Sequence, residues 1–127
     1  MSSASVLIVE DEILVALMLE ECLTDAGFQV AGVYRSGTAA LDFLKNHAVD
    51  LLIIDVILQG DLSGIDFAHA ARTFWMGPIV FHTSASERSI RDQMAAVPNA
   101  TMIFKPISEA DLVRAVRGLL EHDLPHG

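Results

Sequence analysis

Short apolar runs alternate with longer amphipathic stretches along the whole chain. The clearest apolar runs are Val6–Val9, Asp50–Asp55 and Ile79–Phe81, and continuous apolar residues are typical of strands buried on both faces. Gln29–Tyr34 predicts a weaker strand at a sheet edge, and Met102–Phe104 predicts a short last strand. The pattern therefore predicts five strands.

Helical periodicity occupies the stretches between these strands. The first stretch places small and apolar side chains on one stripe and stops at Gly27. The last stretch repeats apolar residues at helical spacing, at Leu112, Ala115, Val116, Leu119 and Leu120. Ser36 predicts an N-cap for the second helix. Capping boxes at Ser84–Glu87 and Ser108–Asp111 predict the starts of the fourth helix, near residues 86–96, and of the fifth.

Strict alternation of strands and helices predicts an α/β fold with a doubly wound, five-stranded parallel sheet, (βα)5, covered by helices on both faces. We expect one domain over residues 1–127, with a core at about 5–121 and a frayed tail at 122–127. Ligands of such folds bind beyond the carboxyl ends of the strands. The residues at those ends are therefore the first candidates for a site.

The composition narrows the class of partner. The chain carries 8 Lys and Arg against 17 Asp and Glu, a formal net charge of −9. Nucleic acids and anionic membranes bind cationic surfaces, so neither is expected as a partner. The single cysteine, Cys22, cannot form an internal disulfide and is expected to be an inert core thiol. With no long apolar run and no basic N-terminal segment, the sequence predicts a cytoplasmic protein.

Polar and charged residues stand where the predicted strands end. Glu10 and Asp11 follow the first strand, Asp55 ends the third, Thr83 follows the fourth and Lys105 follows the fifth. If the central strands are neighbours, three carboxylates meet at one edge of the sheet. Two unit charges ~4 Å apart repel by about 4 kcal/mol at an effective dielectric near 20. A hard cation such as Mg²⁺ or Mn²⁺ is therefore expected among them.

A divalent cation at this edge would attract a phosphoryl group. Lys105 could pair with one phosphate oxygen as a point charge, and Thr83 could donate a hydrogen bond to another. Asp55 would then be the nucleophile that forms an aspartyl phosphate. The residues alone thus predict Mg²⁺-dependent phosphoryl transfer to an aspartate.

Together these residues resemble, in order and spacing, the signature of the receiver (response-regulator) domain of two-component signalling. The resemblance extends from about Ser5 to Glu121, which is nearly the whole chain. It implies a flavodoxin-like sheet with strand order 2-1-3-4-5. It also implies that Asp55 is the phospho-acceptor and that Glu10 and Asp11 hold Mg²⁺, with Asp11 the direct ligand.

Further details follow from the same resemblance. The backbone carbonyl of Ile57 is implied as another metal ligand, together with Asp55 itself. Thr83 and Lys105 are implied to contact the phosphoryl oxygens, and the Lys105–Pro106 peptide bond is implied to be cis.

Some positions depart from the usual receiver pattern. The loop Val56–Gly64 is one residue longer than the commonest form, with Gln59 where proline is usual, and Met102 replaces the aromatic residue three positions before the lysine. Ile57 and Ala85 occupy the two positions that tune dephosphorylation. Because both are apolar, neither can position an attacking water, and we expect slow hydrolysis of the phosphorylated form. His82, beside the candidate site, is expected to be a packing residue.

Two classes of function remain open. The first is a stand-alone phospho-acceptor module, not an enzyme with a turnover substrate. It would accept a phosphoryl group from a histidine kinase or histidine phosphotransfer protein. It would then signal to a downstream protein through the fourth helix, fifth strand and fifth helix, about residues 86–121. The second is a phosphorylation-independent adaptor on the same fold. A haloacid-dehalogenase-type phosphatase is excluded because Ile57 stands where that chemistry needs an acid, and a P-loop hydrolase because no phosphate loop exists.

Overall fold

The computed structural model describes residues 3–123. The five strands are β1 (Ser5–Val9), β2 (Gln29–Tyr34), β3 (Leu51–Ile54), β4 (Ile79–Thr83) and β5 (Ala100–Phe104). The five helices are α1 (Ile13–Asp25), α2 (Gly37–Asn46), α3 (Gly64–Ala71), α4 (Arg88–Ala95) and α5 (Glu109–Asp123). Helix α5 thus extends past the predicted end of the core at residue 121. The remainder of the predicted tail, residues 124–127, lies outside the described residues.

All neighbouring strands pair in parallel, and their order across the sheet is β2-β1-β3-β4-β5. This confirms the doubly wound, flavodoxin-like sheet and places the weakly apolar β2 at an edge, as predicted. Strands β1, β3 and β4 occupy the centre, where both faces are covered by helices. Their carboxyl ends therefore lie side by side at one rim of the sheet.

Two hydrophobic cores lie on opposite faces of the sheet because successive strand residues point to opposite sides. One core joins alternate strand residues, such as Val9 and Phe81, to helices α2, α3 and α4. The other joins the intervening strand residues, such as Ile8, Ile53 and Ile103, to α1 and α5. Cys22 is buried in this second core, as predicted.

Most of the predicted helix boundaries are confirmed by hydrogen bonds. Gly27 takes a φ of 97°, and the amides of Gly27 and Phe28 donate to the carbonyls of Thr24 and Leu23 at 3.0 Å each, which closes the end of α1. The Ser36 hydroxyl accepts from the Ala39 amide at the start of α2. At the start of α5, the hydroxyl of Ser108 likewise accepts a hydrogen bond from the amide of Asp111.

The predicted capping box at Ser84–Glu87 is wrong. Helix α4 starts at Arg88, its N-cap residue is Glu87, and no side chain caps it. The hydroxyl of Thr83 accepts a hydrogen bond from the Ala85 amide at 3.2 Å, and Ser84 is exposed. The chain therefore turns tightly after β4 before the helix begins, which leaves Ser84 outside its first turn.

Within the described residues, no helix is both long and apolar enough to span a bilayer.

Candidate functional site

Because side chains alternate between the two faces of a sheet, three charged side chains at the strand ends lie on the same face. Ile8, Ile53 and Ile103 all point into the core beneath α1 and α5. Two residues further along each chain segment stand Glu10, Asp55 and Lys105, so the alternation predicts that they occupy the same face just beyond the strands. The observed contacts agree with this placement.

Lys105 joins these groups through one ammonium. Its Nζ lies 2.8 Å from Oε1 of Glu10, 2.8 Å from Oδ2 of Asp55 and 3.3 Å from Oε2 of Glu12. The side chains of Glu10 and Asp55 are only 2% and 7% exposed, whereas that of Glu12 is 63% exposed. Two buried carboxylates thus share one partly buried cation, and removing the cation would leave both of them without an ion-pair partner.

Backbone amides hold the second oxygen of each buried carboxylate. Oε2 of Glu10 accepts a hydrogen bond from the Glu12 amide at 3.2 Å, and Oδ1 of Asp55 accepts one from the Ile57 amide at 3.1 Å. The Lys105–Pro106 peptide bond is cis, as the resemblance implied. Each carboxylate is therefore held by the main chain at one oxygen and by the Lys105 side chain at the other.

Burial and ion pairing shift the proton affinities within the cluster. Burial raises the pKa of Glu10, against the hydrogen bond from Lys105 that lowers it. For Lys105, burial lowers the pKa, but the hydrogen bonds to Asp55 and Glu10 outweigh it and raise the pKa above its usual value. Lys105 therefore stays charged throughout the physiological range.

Three carboxylates converge closely enough to hold a metal ion. Oxygens of Glu10, Glu12 and Asp55 all lie within 4.8 Å of one another. An all-oxygen donor set with an open, solvent-facing side suits Mg²⁺ or Mn²⁺, so the residues fit the expected cation. Sequence reasoning missed Glu12, although its spacing of two residues from Glu10 was a usable signal once a turn after β1 was assumed.

The other two predicted metal ligands are Asp11 and the backbone carbonyl of Ile57. Asp11 is half-buried, and its carboxylate is not part of the converging group. The side chain of Ile57 is exposed, and its amide binds Asp55. Ligation by Asp11 and by the Ile57 carbonyl therefore stays a prediction from the resemblance.

Thr83 ends β4 with its side chain fully buried. Its hydroxyl oxygen accepts from the Ala85 amide at 3.2 Å, which leaves the hydroxyl proton for another acceptor. The carbonyl of Thr83 accepts from the amide of Lys105 at 2.9 Å, and Thr83 pairs with Phe104 across the β4–β5 ladder. The residues that carry the hydroxyl and the ammonium are thus joined by a backbone hydrogen bond.

The loop after Asp55 depends on a glycine at its far end. A Cβ placed on Gly64 would collide with the carbonyl oxygen of Asp55 and lie 2.7 Å from Cα of Val56. The Gly64 amide donates to the Val56 carbonyl at 2.8 Å, which holds the start of α3 against the end of β3. The long loop is therefore closed by a direct backbone contact at the site.

His82 is a buried polar residue that the ion cluster does not use. Its side chain is on β4 with 2% of the residue exposed, and its Nδ1 has no hydrogen-bond partner among the described residues. Burial and then the charge of Lys105 lower the pKa of His82 to about 4. The expected packing residue is thus a neutral imidazole with an unsatisfied buried nitrogen.

Comparison with known sequences agrees with this arrangement. Residues 6–117 match the family model described as the response regulator receiver domain. The transcriptional regulatory protein PdtaR of Mycobacterium tuberculosis is 32% identical over 111 residues, which cover 87% of this chain and 54% of PdtaR. The chain thus spans about half the length of the curated relatives that it matches.

Solved structures show the same fold along nearly the whole chain. A response regulator receiver protein from Sinorhizobium medicae WSM419 is 31% identical, with a TM-score of 0.83 and coverage of 94% of this chain and 96% of that one. The signal receiver domain of a modulated diguanylate cyclase from Desulfovibrio desulfuricans G20 is 27% identical. Its TM-score is 0.88, with coverage of 95% of this chain and 96% of that one.

Proposed function

Because the chain belongs to the response regulator receiver domain family of two-component signalling, we propose that it accepts a phosphoryl group on Asp55 from a phosphohistidine donor. The donor is a histidine kinase or a histidine phosphotransfer protein. The observation that carries this proposal is the buried contact of Lys105 with Asp55 and Glu10 at the carboxyl edge of the sheet. A receiver is a signalling domain, not an enzyme that turns over a substrate.

The two oxygens of Asp55 are suited to different parts in the reaction. Oδ1 is held by the backbone amide of Ile57, whereas Oδ2 is held by the side-chain ammonium of Lys105. We expect Oδ2 to be the nucleophile, since a side chain moves away more readily than the main chain. Its P–O bond forms as the donor's P–N bond breaks, and the imidazole nitrogen keeps the electron pair of the broken bond.

After transfer, the released Lys105 ammonium and the Thr83 hydroxyl are placed to bind phosphoryl oxygens. Both are donors, and both are fixed relative to each other by the β4–β5 pairing. Glu10, Asp55 and a further acidic residue, Asp11 or Glu12, would hold Mg²⁺, which supplies neutralisation of the phosphoryl charge. These residues bind and orient the group that Asp55 receives.

The phosphoryl donor is expected to dock beside the site on α1. The first turns of this helix expose Ile13, Leu14 and Leu17, directly after the acidic residues at the end of β1. A protein that covers this apolar surface would place its phosphohistidine over Asp55. No nucleic acid or membrane is expected to bind, because the net charge is −9, and we place the protein in the cytoplasm.

Signalling to a downstream protein is proposed to use α4, β5 and α5. Thr83 touches β5 through its pairing with Phe104, and Arg91 of α4 lies 5.7 Å from the centre of the Phe104 ring. A phosphoryl dianion on Asp55 that draws Thr83 toward it would act first on Phe104 and Arg91.

The test is intact mass after incubation with acetyl phosphate. One added phosphoryl group is expected for wild type with Mg²⁺, and none with chelator or in Asp55→Asn. Asp25→Asn, which makes the same change at an exposed position at the end of α1, is the matched control and should be modified like wild type. An adduct that persists in Asp55→Asn would contradict the assignment.

A phosphorylation-independent adaptor is the second candidate. The observation that favours it is Met102, which replaces the usual aromatic residue and is 37% exposed on β5. If wild type with Mg²⁺ acquires no phosphoryl group and binds no Mg²⁺, the adaptor is the better description, and its partner should bind the unmodified protein.

A further inference from the structure

His82 lies beside the reacting aspartate in the sheet. The β3–β4 ladder pairs Ile54 with Phe81, so the next residues, Asp55 and His82, continue the same register. Asp55 follows Ile53 by two, and His82 follows Val80 by two, and both apolar residues point into the core beneath α1 and α5. The alternation of side chains therefore directs Asp55 and His82 to the same face.

Lys105 lies on this same face, on the other side of His82 from Asp55. His82 pairs with Ile103 in the β4–β5 ladder, and Lys105 follows Ile103 by two residues. The charge of Lys105 also acts on the imidazole more strongly than the charges of Asp55 and Glu12 do. The imidazole thus stands between the strand that carries the acceptor and the strand that carries the ammonium.

The buried nitrogen of His82 has a cost in the conformation described above. A buried polar atom without a partner destabilises a fold, because its hydration is lost and nothing replaces it. The neutral imidazole offers one nitrogen as an acceptor. The nearby cation is Lys105, which is engaged by three carboxylates. Any event that withdraws those carboxylates would leave the ammonium without its present partners.

We propose that His82 is a positioning residue for Lys105, and that its Nδ1 accepts a hydrogen bond from the ammonium when Asp55 is phosphorylated and the carboxylates turn to the metal. The proposal rests on the proposed function of Asp55. It means that the unphosphorylated state carries an unsatisfied nitrogen that the phosphorylated state satisfies. His82 therefore favours phosphorylation, and Lys105 keeps a fixed direction toward the phosphoryl oxygens.

The first test compares three variants for the rate of phosphorylation by acetyl phosphate with Mg²⁺. His82→Val removes the acceptor, His82→Asn keeps an oxygen close to the position of Nδ1, and Ile103→Val alters packing against His82 without changing polarity. We expect His82→Val to react roughly tenfold more slowly or more, the equivalent of one hydrogen bond from a charged donor. His82→Asn and Ile103→Val should stay close to wild type.

The stability of the unmodified variants separates positioning from packing. His82→Val should be at least as stable as wild type in urea, since it removes an unsatisfied polar atom. Equal rates for His82→Val and wild type, or equal slowing in His82→Val and His82→Asn, would overturn the inference. If wild type itself acquires no phosphoryl group, the proposed function fails first, and a second measurement decides the role of His82.

That measurement uses the ¹⁵N resonances of the His82 imidazole and needs no phosphoryl group. In a Glu10→Gln, Glu12→Gln, Asp55→Asn triple variant, all three carboxylates that hold Lys105 lose their charge. The Nδ1 resonance should then move from that of a free acceptor toward that of a hydrogen-bonded one, and adding Lys105→Met should reverse the movement. An Nδ1 resonance that is unchanged in the triple variant would rule out the contact between Lys105 and His82.

Discussion

The ammonium of Lys105 lies 2.8 Å from Oδ2 of Asp55, although 50 positions separate the two residues in the chain. The parallel sheet makes this contact possible, because it brings the end of β3 and the end of β5 to the same rim across β4. The same ammonium also binds Glu10, at the end of β1. One ammonium therefore contacts both the proposed phospho-acceptor and its acidic neighbour.

Replacing Lys105 by methionine should destabilise the protein at pH 7. Glu10 and Asp55 would remain buried without a cation, and removing one partner of a buried ion pair costs about 3 kcal/mol or more. Urea unfolding would measure the loss. Lys45→Met, at an exposed lysine on α2, is the control and should change the free energy of unfolding by less than about 1 kcal/mol. Equal stability of the two variants would mean that the buried carboxylates accept protons instead.

Replacing Gly64 by alanine should distort the loop that follows Asp55. The added Cβ would meet the Asp55 carbonyl oxygen, a backbone atom that cannot turn aside. We expect a loss of several kcal/mol in stability or a displaced loop, with slower phosphorylation in either case. Gly118→Ala is the matched control, because a Cβ there meets nothing within 4 Å and helix propensity favours alanine by about 1 kcal/mol. A Gly64→Ala protein as stable as Gly118→Ala would disprove the close backbone contact.

His82 should make the protein less stable in acid. Its pKa falls from 6.5 to about 4 on folding, so the unfolded chain binds more protons between these values. The stabilisation of the folded state by neutral His82, relative to the protonated form, is fully present above pH 6.5. It is lost as the pH falls to about 4, and it amounts to about 3 kcal/mol in the free energy of unfolding. The measurement is urea unfolding from pH 7 to pH 4. His82→Val should show a shallower loss than wild type, whereas His69→Val, at an exposed histidine, should follow wild type.

Binding of Mg²⁺ should depend on the buried carboxylates more than on the exposed one. Glu10→Gln and Asp55→Asn should weaken binding by roughly tenfold or more, because each removes a ligand from a site with little solvent screening. Glu12→Gln should cost only a few-fold, because its side chain is 63% exposed. Titration calorimetry would measure the three affinities. A loss at Glu12 as large as that at Glu10 would make Glu12 a direct ligand, and Asp11→Asn would then test the ligand implied by the resemblance.

Hydrolysis of the aspartyl phosphate should be slow in wild type and faster in Ile57→Asn. The exposed side chain of Ile57 lies two residues after Asp55 and cannot orient a water molecule, whereas an amide can. Loss of the phosphoryl mass over time, after removal of acetyl phosphate, would give the rates. Ile57→Val, which stays apolar, is the control. If Ile57→Asn and Ile57→Val lose phosphate equally slowly, a different part of the site limits the access of water to the aspartyl phosphate.

The pattern of the sequence was sufficient for the fold class and for the strand-end positions of most of the candidate site, whereas the strand order came from the resemblance to receivers. Alternating strands and helices leave a doubly wound sheet as the arrangement that buries every apolar run, and a parallel sheet brings all its carboxyl ends to one rim. Glu10, Asp55, Thr83 and Lys105 could therefore be selected by their position at strand ends alone. These inferences succeed because they depend on side-chain period and on chain direction, which are local properties.

Only the tertiary structure decided how these groups are partnered. A turn after β1 brings Glu12, and not the Asp11 carboxylate, into the cluster. The late start of α4 depends on the hydroxyl of Thr83. The unsatisfied nitrogen of His82 likewise follows from what packs around β4. Hydrogen bonds and burial of this kind join residues far apart in the chain and are sensitive to distances of about 1 Å. The hydrophobic period of a sequence carries no such information.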